Sequence, residues 1–437
     1  MRDIVLLCVL PFLMYGAFKR PFIGLGLWIW TAMFFPNAWV YGIASGIRYN
    51  LLISAATIFT YIFSKPKNKL ELGSTGVLLL MFLAWTTFTS IYAMAPSNIV
   101  WDFWNEFLKT TLLFVLMTLA ILKKRHIDFF LWCLVLSIGF YAALEGLKFI
   151  ASGGAHKIEG LAGHTLGDRN ELAVAFSMML PITFYLLEEF GKKSVLIRAG
   201  LIGLILLLVI SIIGTLSRGG AIALSVVGAY LFLKSKRKIL LLVISLILGS
   251  LCFGLIPSDW FTRMDTMHDI ADDSSFMGRV VAWKLSFILA TLHPFVGGGF
   301  KSLEFLPVWV TLSQSFGTFS FFPTGNSYPD PNMSHAAHSI YFQVLGEHGF
   351  VGLLLFLSIL VTAFRKAGKV AKTVAKMGGP TWIINLSVAL RLTIFTYCVG
   401  GAALSFAYFD MTYAVCALVI VLEKRILPAV SLDRKTI

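Results

Sequence analysis

Charge is what this sequence has least of. Only 13% of its 437 residues are Asp, Glu, Lys or Arg, while 58% are hydrophobic. A soluble domain carries roughly a quarter charged residues, so this chain lacks the polar surface to cover itself in water. Cysteine is also sparse. Cys8, Cys133, Cys252, Cys398 and Cys416 are odd in number and all lie inside apolar stretches, which leaves no disulfide framework and no metal-ligand spacing. They read as small hydrophobes. No internal repeat and no low-complexity tract is present, so the repeat signature of many transporters is missing. Period-two alternation is missing as well: LIGLILLLVISIIG, from Leu201, is apolar on every side, which excludes a lipid-facing barrel strand.

What remains is a succession of apolar runs, each long enough to cross a hydrocarbon core of roughly 30 Å as a helix. The pattern predicts an all-α polytopic membrane protein with about 12–13 transmembrane helices. The expected spans lie near residues 4–18, 21–35, 49–63, 74–93, 107–122, 129–150, 170–187, 196–213, 219–233, 239–256, 338–364, 382–407 and 411–423. The first two are short and interrupted by Gly and Pro, so a hairpin that does not fully cross is an alternative for them. Met1 to Phe18 resembles a signal peptide in length, but no small-residue cleavage site precedes Lys19, and it reads as a retained helix.

Lys and Arg fix the expected orientation. One set of alternate loops, with the C-terminal tail, holds 24 of the 36, and the opposite set holds 11. The richer set, which includes Arg365 to Lys376, is expected in the cytoplasm. The net charge of +14 is therefore a membrane-surface feature and implies contact with membrane lipids rather than nucleic acid. The Arg365 to Lys376 stretch reads as a basic helix lying on the cytoplasmic surface. The chain divides into four regions: 1–160, N-terminal transmembrane; 161–256, a transmembrane core; 257–337, one large periplasmic loop; and 338–437, C-terminal helices and a cytoplasmic tail.

Basic residues and histidines gather in and beside that loop: Arg218, Arg263, Arg279, Lys284, His335 and His338. They point to an anionic substrate, and arginine suits a diphosphate because its planar fork pairs two oxygens. Outside the cytoplasm there is no ATP, so a reaction here must use a preactivated donor. Val280, Val281, Leu285, Ile288 and Leu289 are spaced as the apolar face of a helix lying on the membrane interface. His335 and His338 could suggest zinc, but no third ligand with suitable spacing is evident. Glu145 and Lys148, three apart, can satisfy each other. Asp168, Arg169 and Asn170 suit a helix start. Arg391, inside a span, can snorkel. Gly297 to Gly299 read as a turn returning the loop to the membrane. Glu347, nine residues into the span after His338, falls on the opposite face of a straight helix and is expected to pair with another helix.

Four segments resemble the O-antigen ligase and polymerase family. GDRNELA (Gly167 to Ala173) is similar to its asparagine-bearing helix start, and TLSRGG (Thr215 to Gly220) to its arginine motif at an outer helix end. GRVVAWKLSFILATLHPFVGGGF (Gly278 to Phe300) resembles its amphipathic loop helix, and AHSIYFQVLGEHGFVGLLLF (Ala337 to Phe356) its histidine motif. The first 160 residues look like the N-terminal region of O-glycosylation ligases associated with exosortase-A systems. The resemblance implies a GT-C-like bundle in the bacterial inner membrane with a periplasmic active site. It implies metal-independent, inverting transfer of a glycan from an undecaprenyl diphosphate donor, without a cofactor. The acceptor would be a hydroxyl of lipid A core or protein; a polymerase adding to a growing glycan is the alternative, and a polysaccharide transporter a more distant one. Carried over by motif, His338 is the general base and Arg218 and Arg279 hold the diphosphate. Asn170, Arg169, His335 and Glu347 are supporting residues.

Overall fold

The computed structural model describes residues 2–65, 67–234 and 274–433, with isolated positions between 238 and 250. The expected span at 239–256, Cys252 and Arg263 lie wholly or largely outside the described residues. The other twelve expected spans are helices. They are α1 (Arg2–Lys19), α2 (Pro21–Phe34), α3 (Tyr49–Phe63), α4 (Gly73–Ile91), α5 (Ser97–Ala120), α6 (Lys124–Ala151), α7 (Arg169–Phe190), α8 (Val195–Gly214) and α9 (Arg218–Lys234), then, beyond the loop, α12 (Ile340–Lys376), α13 (Thr381–Gly400) and α14 (Asp410–Val421). The loop itself contributes α10 (Ser274–Leu292) and α11 (Leu306–Ser313), and α15 (Leu427–Asp433) closes the chain. No strand occurs among the described residues. Among the described residues, six helices (α4, α6, α7, α8, α12 and α13) are long and apolar enough to cross a membrane by length and composition. The chain is an all-α polytopic membrane protein.

The bundle is built around α7. Its apolar window is 78% buried, against 28% for α8, because α6, α8, α9 and α13 all pack on it. Two small-residue contacts set its distance from the neighbours: a Cβ on Gly220 of α9 would come within 2.5 Å of Ala173, and one on Gly400 within 2.7 Å of Val174. On the other side of the bundle α12 packs on α4 and α13, and α14 on α5. Among the ends of the helices, Glu423 bonds Lys366 at 2.6 Å and Arg425 bonds Glu71 at 3.2 Å. These residues gather at the end opposite His338.

Three departures from the sequence pattern bear on the functional end of the bundle. First, α5 begins ten residues earlier than expected, at Ser97 after Pro96, because the segment with Asp102, Asn105, Glu106 and Lys109 is helical although too polar to count as a span. Second, the expected 382–407 span ends at Gly400, and the chain runs irregularly to Phe409. Non-helical backbone inside a membrane bundle needs internal partners, and side chains supply them. Tyr397 donates to the carbonyl of Phe406 at 2.8 Å, Tyr413 to that of Ala407 at 2.9 Å, and Gln343 accepts from the Ala407 N–H at 3.2 Å. Third, the basic stretch 365–376 continues α12, with Ala367, Val370, Ala371 and Val374 buried. It is a packed extension of the spanning helix and not a separate surface helix. Arg391 is exposed, and its guanidinium lies 4.2 Å from the Phe364 ring of α12.

The loop is also more compact than the pattern implied. Val280, Val281, Leu285, Ile288 and Leu289 are all at most 3% exposed. Most of that face joins Leu303, Trp309, Leu312 and Phe316 in a small core of its own, and α10 also packs on α12. The apolar face expected on the membrane interface is buried within the protein.

Candidate functional site

The helix that begins just after His338 is broken within its first third. Within α12, Gly349 has φ 67° and ψ −170°, outside any helical region. The segment leaving α10 fills the gap: Gly298 and Gly299 donate to the carbonyls of Gly346 and Glu347 at 2.9 and 2.7 Å, and Phe350 donates to the carbonyl of Pro294 at 2.9 Å. The broken ladder is thus completed by a segment some fifty residues upstream, which answers the requirement that buried backbone groups be paired. A Cβ on Gly349 would sit 2.4 Å from the Phe295 carbonyl oxygen. The Gly297 to Gly299 turn therefore does more than return the chain; it splices the loop into the bundle.

Glu347 lies in this splice and not near the imidazole of His338. It is 5% exposed, with one carboxylate oxygen accepting from the Lys301 N–H at 3.1 Å and the other from the Tyr408 hydroxyl at 2.6 Å. The expected pairing with another helix is not what forms: the partners lie in the loop and in the segment before α14, both non-helical. His348, fully buried, has Nδ1 2.7 Å from the Thr89 hydroxyl, and its carbonyl accepts from Trp85 at 3.1 Å. Lys301 turns back to Glu304 at 2.7 Å and lies 4.3 Å from the Phe103 ring.

His338 sits above the splice, one residue before the N-cap of α12, with φ 46°. That left-handed conformation is uncommon outside glycine, costs on the order of 1–3 kcal/mol, and persists where surroundings impose it. Here its N–H donates to the Ser405 hydroxyl at 2.8 Å. Its side chain is half-buried. Burial holds its pKa below the ordinary histidine value, and the positive charge of Arg279 adds to this; Asp168 opposes it, with smaller effects from His335 and Glu304. A lowered pKa keeps the imidazole neutral and able to take a proton. His335 packs edge-on against Trp309, with ring centroids 5.5 Å apart.

The first arginine motif joins the same end of the bundle. Asp168 caps α7 by accepting from the Asn170 N–H at 2.7 Å and from its side-chain amide at 2.8 Å. The Asn170 carbonyl oxygen in turn accepts from the Ser217 hydroxyl at 2.8 Å, and Ser217 immediately precedes Arg218, which is exposed at the first position of α9. Arg169, half-buried, opens α7 beside this chain of bonds. A Cβ on Gly219 would lie 3.8 Å from the Gly400 carbonyl oxygen, and one on Gly401 would meet Ile340. The 400–405 turn thus touches both the Arg218 segment and, through Ser405, the backbone of His338. His338, Arg279, His335, Asn170, Arg169 and Arg218 are brought to one end; Glu347 is set apart. Ser405, Asp168 in its electrostatic role, and Tyr408 were not singled out by the sequence.

Residues 202–357 match the family described as O-antigen ligase. That match covers 156 of the 437 residues and supports the O-antigen ligase family for this part of the chain. Residues 1–192 match a family of unknown function, DUF5935, and no curated protein matches the chain. The O-antigen ligase match spans α8 to the middle of α12 and so contains Arg218, Arg279, His338 and the splice at Gly349. The match supports a glycosyltransferase-type, O-antigen ligase-family activity. Elsewhere, the expected Glu145–Lys148 pair forms at 2.7 Å, and His156 adds a second bond to Glu145 at 2.6 Å. Cys8, Cys133, Cys398 and Cys416 are free.

Proposed function

We propose that this chain transfers a glycan from an undecaprenyl diphosphate donor to an acceptor hydroxyl, at a site facing the periplasm of the bacterial inner membrane. The observation that carries the reading is that Arg279 and Asp168 act on His338 while the Asp168–Asn170–Ser217 chain of bonds leads to Arg218 at the same end of the bundle. The acceptor oxygen attacks the anomeric carbon as the bond to the diphosphate oxygen breaks, and configuration inverts. His338 takes the acceptor proton, which a neutral imidazole can do and an imidazolium cannot. Arg218 and Arg279 hold the departing diphosphate, whose negative charge grows in the transition state, so two fixed guanidinium groups stabilise that state more than the ground state. No metal or cofactor enters this scheme. The acceptor is lipid A core or a protein hydroxyl; chain extension by a polymerase is the second reading within the same chemistry.

Purified protein with an undecaprenyl diphosphate glycan and an acceptor should release undecaprenyl diphosphate and form glycosylated acceptor after EDTA treatment and without ATP. A strict divalent-ion requirement would overturn the arginine-based account. In a deletion strain, loss of capped lipid A core, of glycoprotein or of long-chain polysaccharide identifies the acceptor.

A further inference from the structure

Lys284 has no role in that scheme, and its surroundings are unusual for a lysine. It lies on α10, is 4% exposed, and lines a cavity of about 400 Å³ together with Ser313, Phe316, Thr324 and Tyr328. Its ammonium is 4.3 Å from the Phe316 ring centroid, and among the described residues no carboxylate pairs with it. Burial lowers its pKa. A buried cation without a counter-charge is costly unless something anionic comes to it. The remaining lining narrows the chemistry. Phe316 and Tyr328 offer apolar faces, while Ser313, Thr324 and Tyr328 offer hydroxyls. A sugar ring has the matching combination of an apolar C–H face and a hydroxyl rim. One ammonium suits a single carboxylate, whereas a diphosphate favours the forked guanidinium.

We propose that this cavity is a glycan subsite selecting an acidic sugar residue, with Lys284 pairing the sugar carboxylate and Tyr328 at the mouth packing on its ring. The proposal rests on the glycan-transfer reading and extends it. Lys284 is five residues from Arg279 on α10, a step of about 7.5 Å along the helix and about 140° around it. The subsite therefore lies on a different face of α10 from the diphosphate ligand, and it reads a sugar away from the bond being broken.

The test is direct binding to the full-length protein in detergent, by calorimetry near pH 7, with trigalacturonate as the acidic probe. Maltotriose is the neutral control and sn-glycerol 3-phosphate stands for a lipid headgroup. Wild type should bind trigalacturonate at least tenfold more tightly than either. Lys284→Gln should remove that preference, and Tyr328→Ala, at a position 77% exposed, should weaken trigalacturonate binding several-fold with an unchanged melting temperature. If Lys284→Gln does not fold, the Tyr328→Ala result decides. Equal binding of acidic and neutral trisaccharide, tighter binding of glycerol phosphate, or full affinity in Tyr328→Ala would overturn the subsite. Binding is read without turnover. A protein inactive in transfer that still selects trigalacturonate therefore sinks only the transfer reading, and an active one that does not select it sinks only the subsite.

Discussion

Two polar clusters lie about ten residues apart, one just before α12 and one within it, and their surroundings are opposite. At Glu347–His348 both side chains are buried; each carboxylate oxygen of Glu347 has a donor, and His348 is bonded through Nδ1 and through its carbonyl. Only His348 Nε2 is buried there without a partner. At His338 the side chain is half-open, the backbone is held in a left-handed conformation, and a guanidinium stands close enough to lower the imidazole pKa. The first arrangement uses its polar groups to close a broken helix. The second holds charge and a strained backbone, fixed by Ser405, at a half-open surface, a combination that clusters at functional sites. Two histidines of one motif region are thus separated by environment alone.

Breaking the comparison at its active end should have the largest effect. His338→Ala should reduce transfer by about 10²- to 10⁴-fold, the usual worth of a general base, while binding of an undecaprenyl diphosphate donor and the melting temperature stay near wild type. Transfer rate per monodisperse molecule, measured beside donor binding, checks this. Full specific activity would remove His338 from the mechanism. At the other end, Gly349→Ala should act on folding instead. The new Cβ meets the Pro294 and Phe295 carbonyl oxygens at 2.6 and 2.4 Å in a backbone conformation that alanine rarely adopts. The strain alone is on the order of 1–3 kcal/mol, so the melting temperature and yield should fall clearly, with the surviving folded fraction retaining activity. A variant as stable as wild type would mean that the splice does not hold the fold together.

The same contrast explains what could be read from the sequence. Apolar runs, the cap at Asp168 and the Glu145–Lys148 pair are visible because each depends on local spacing or residue type. The break at Gly349 is not visible: LGEHGFVGLLLF reads as uninterrupted helix, and the groups that complete it come from Pro294 to Gly299. The end of α13 at Gly400 was hidden for a related reason. Residues 401–409 are apolar enough to span, and their irregular backbone is sustained by Tyr397, Tyr413 and Gln343 at a distance. Ser405, which holds the His338 backbone, carries no signal in its own neighbourhood. The face of α10 was legible as amphipathic, but period alone cannot say whether a lipid surface or Trp309 and Phe316 will cover it.

The smallest effect sharpens the comparison most, because it isolates the charge beside His338. The Arg279 guanidinium lowers the His338 pKa, second only to burial, and Asp168 raises it. If His338 must be neutral to act, transfer falls on the acid side with a midpoint below the ordinary histidine pKa of about 6.5. Removing the positive charge favours the protonated form, so Arg279→Gln should move that midpoint to higher pH. Removing the negative charge does the reverse, and Asp168→Asn, which keeps an oxygen to cap α7, should move it to lower pH. Both variants also change other properties: Arg279→Gln should lower turnover at every pH through the lost diphosphate contact. The position of the acid limb is independent of its height, so kcat/KM against pH separates the two effects. Glu347→Gln is the internal control, since Glu347 is not among the charges that shift His338, and its limb should coincide with wild type. A limb that fails to move in either charge variant would mean that another group carries the proton, whatever the loss of rate in His338→Ala.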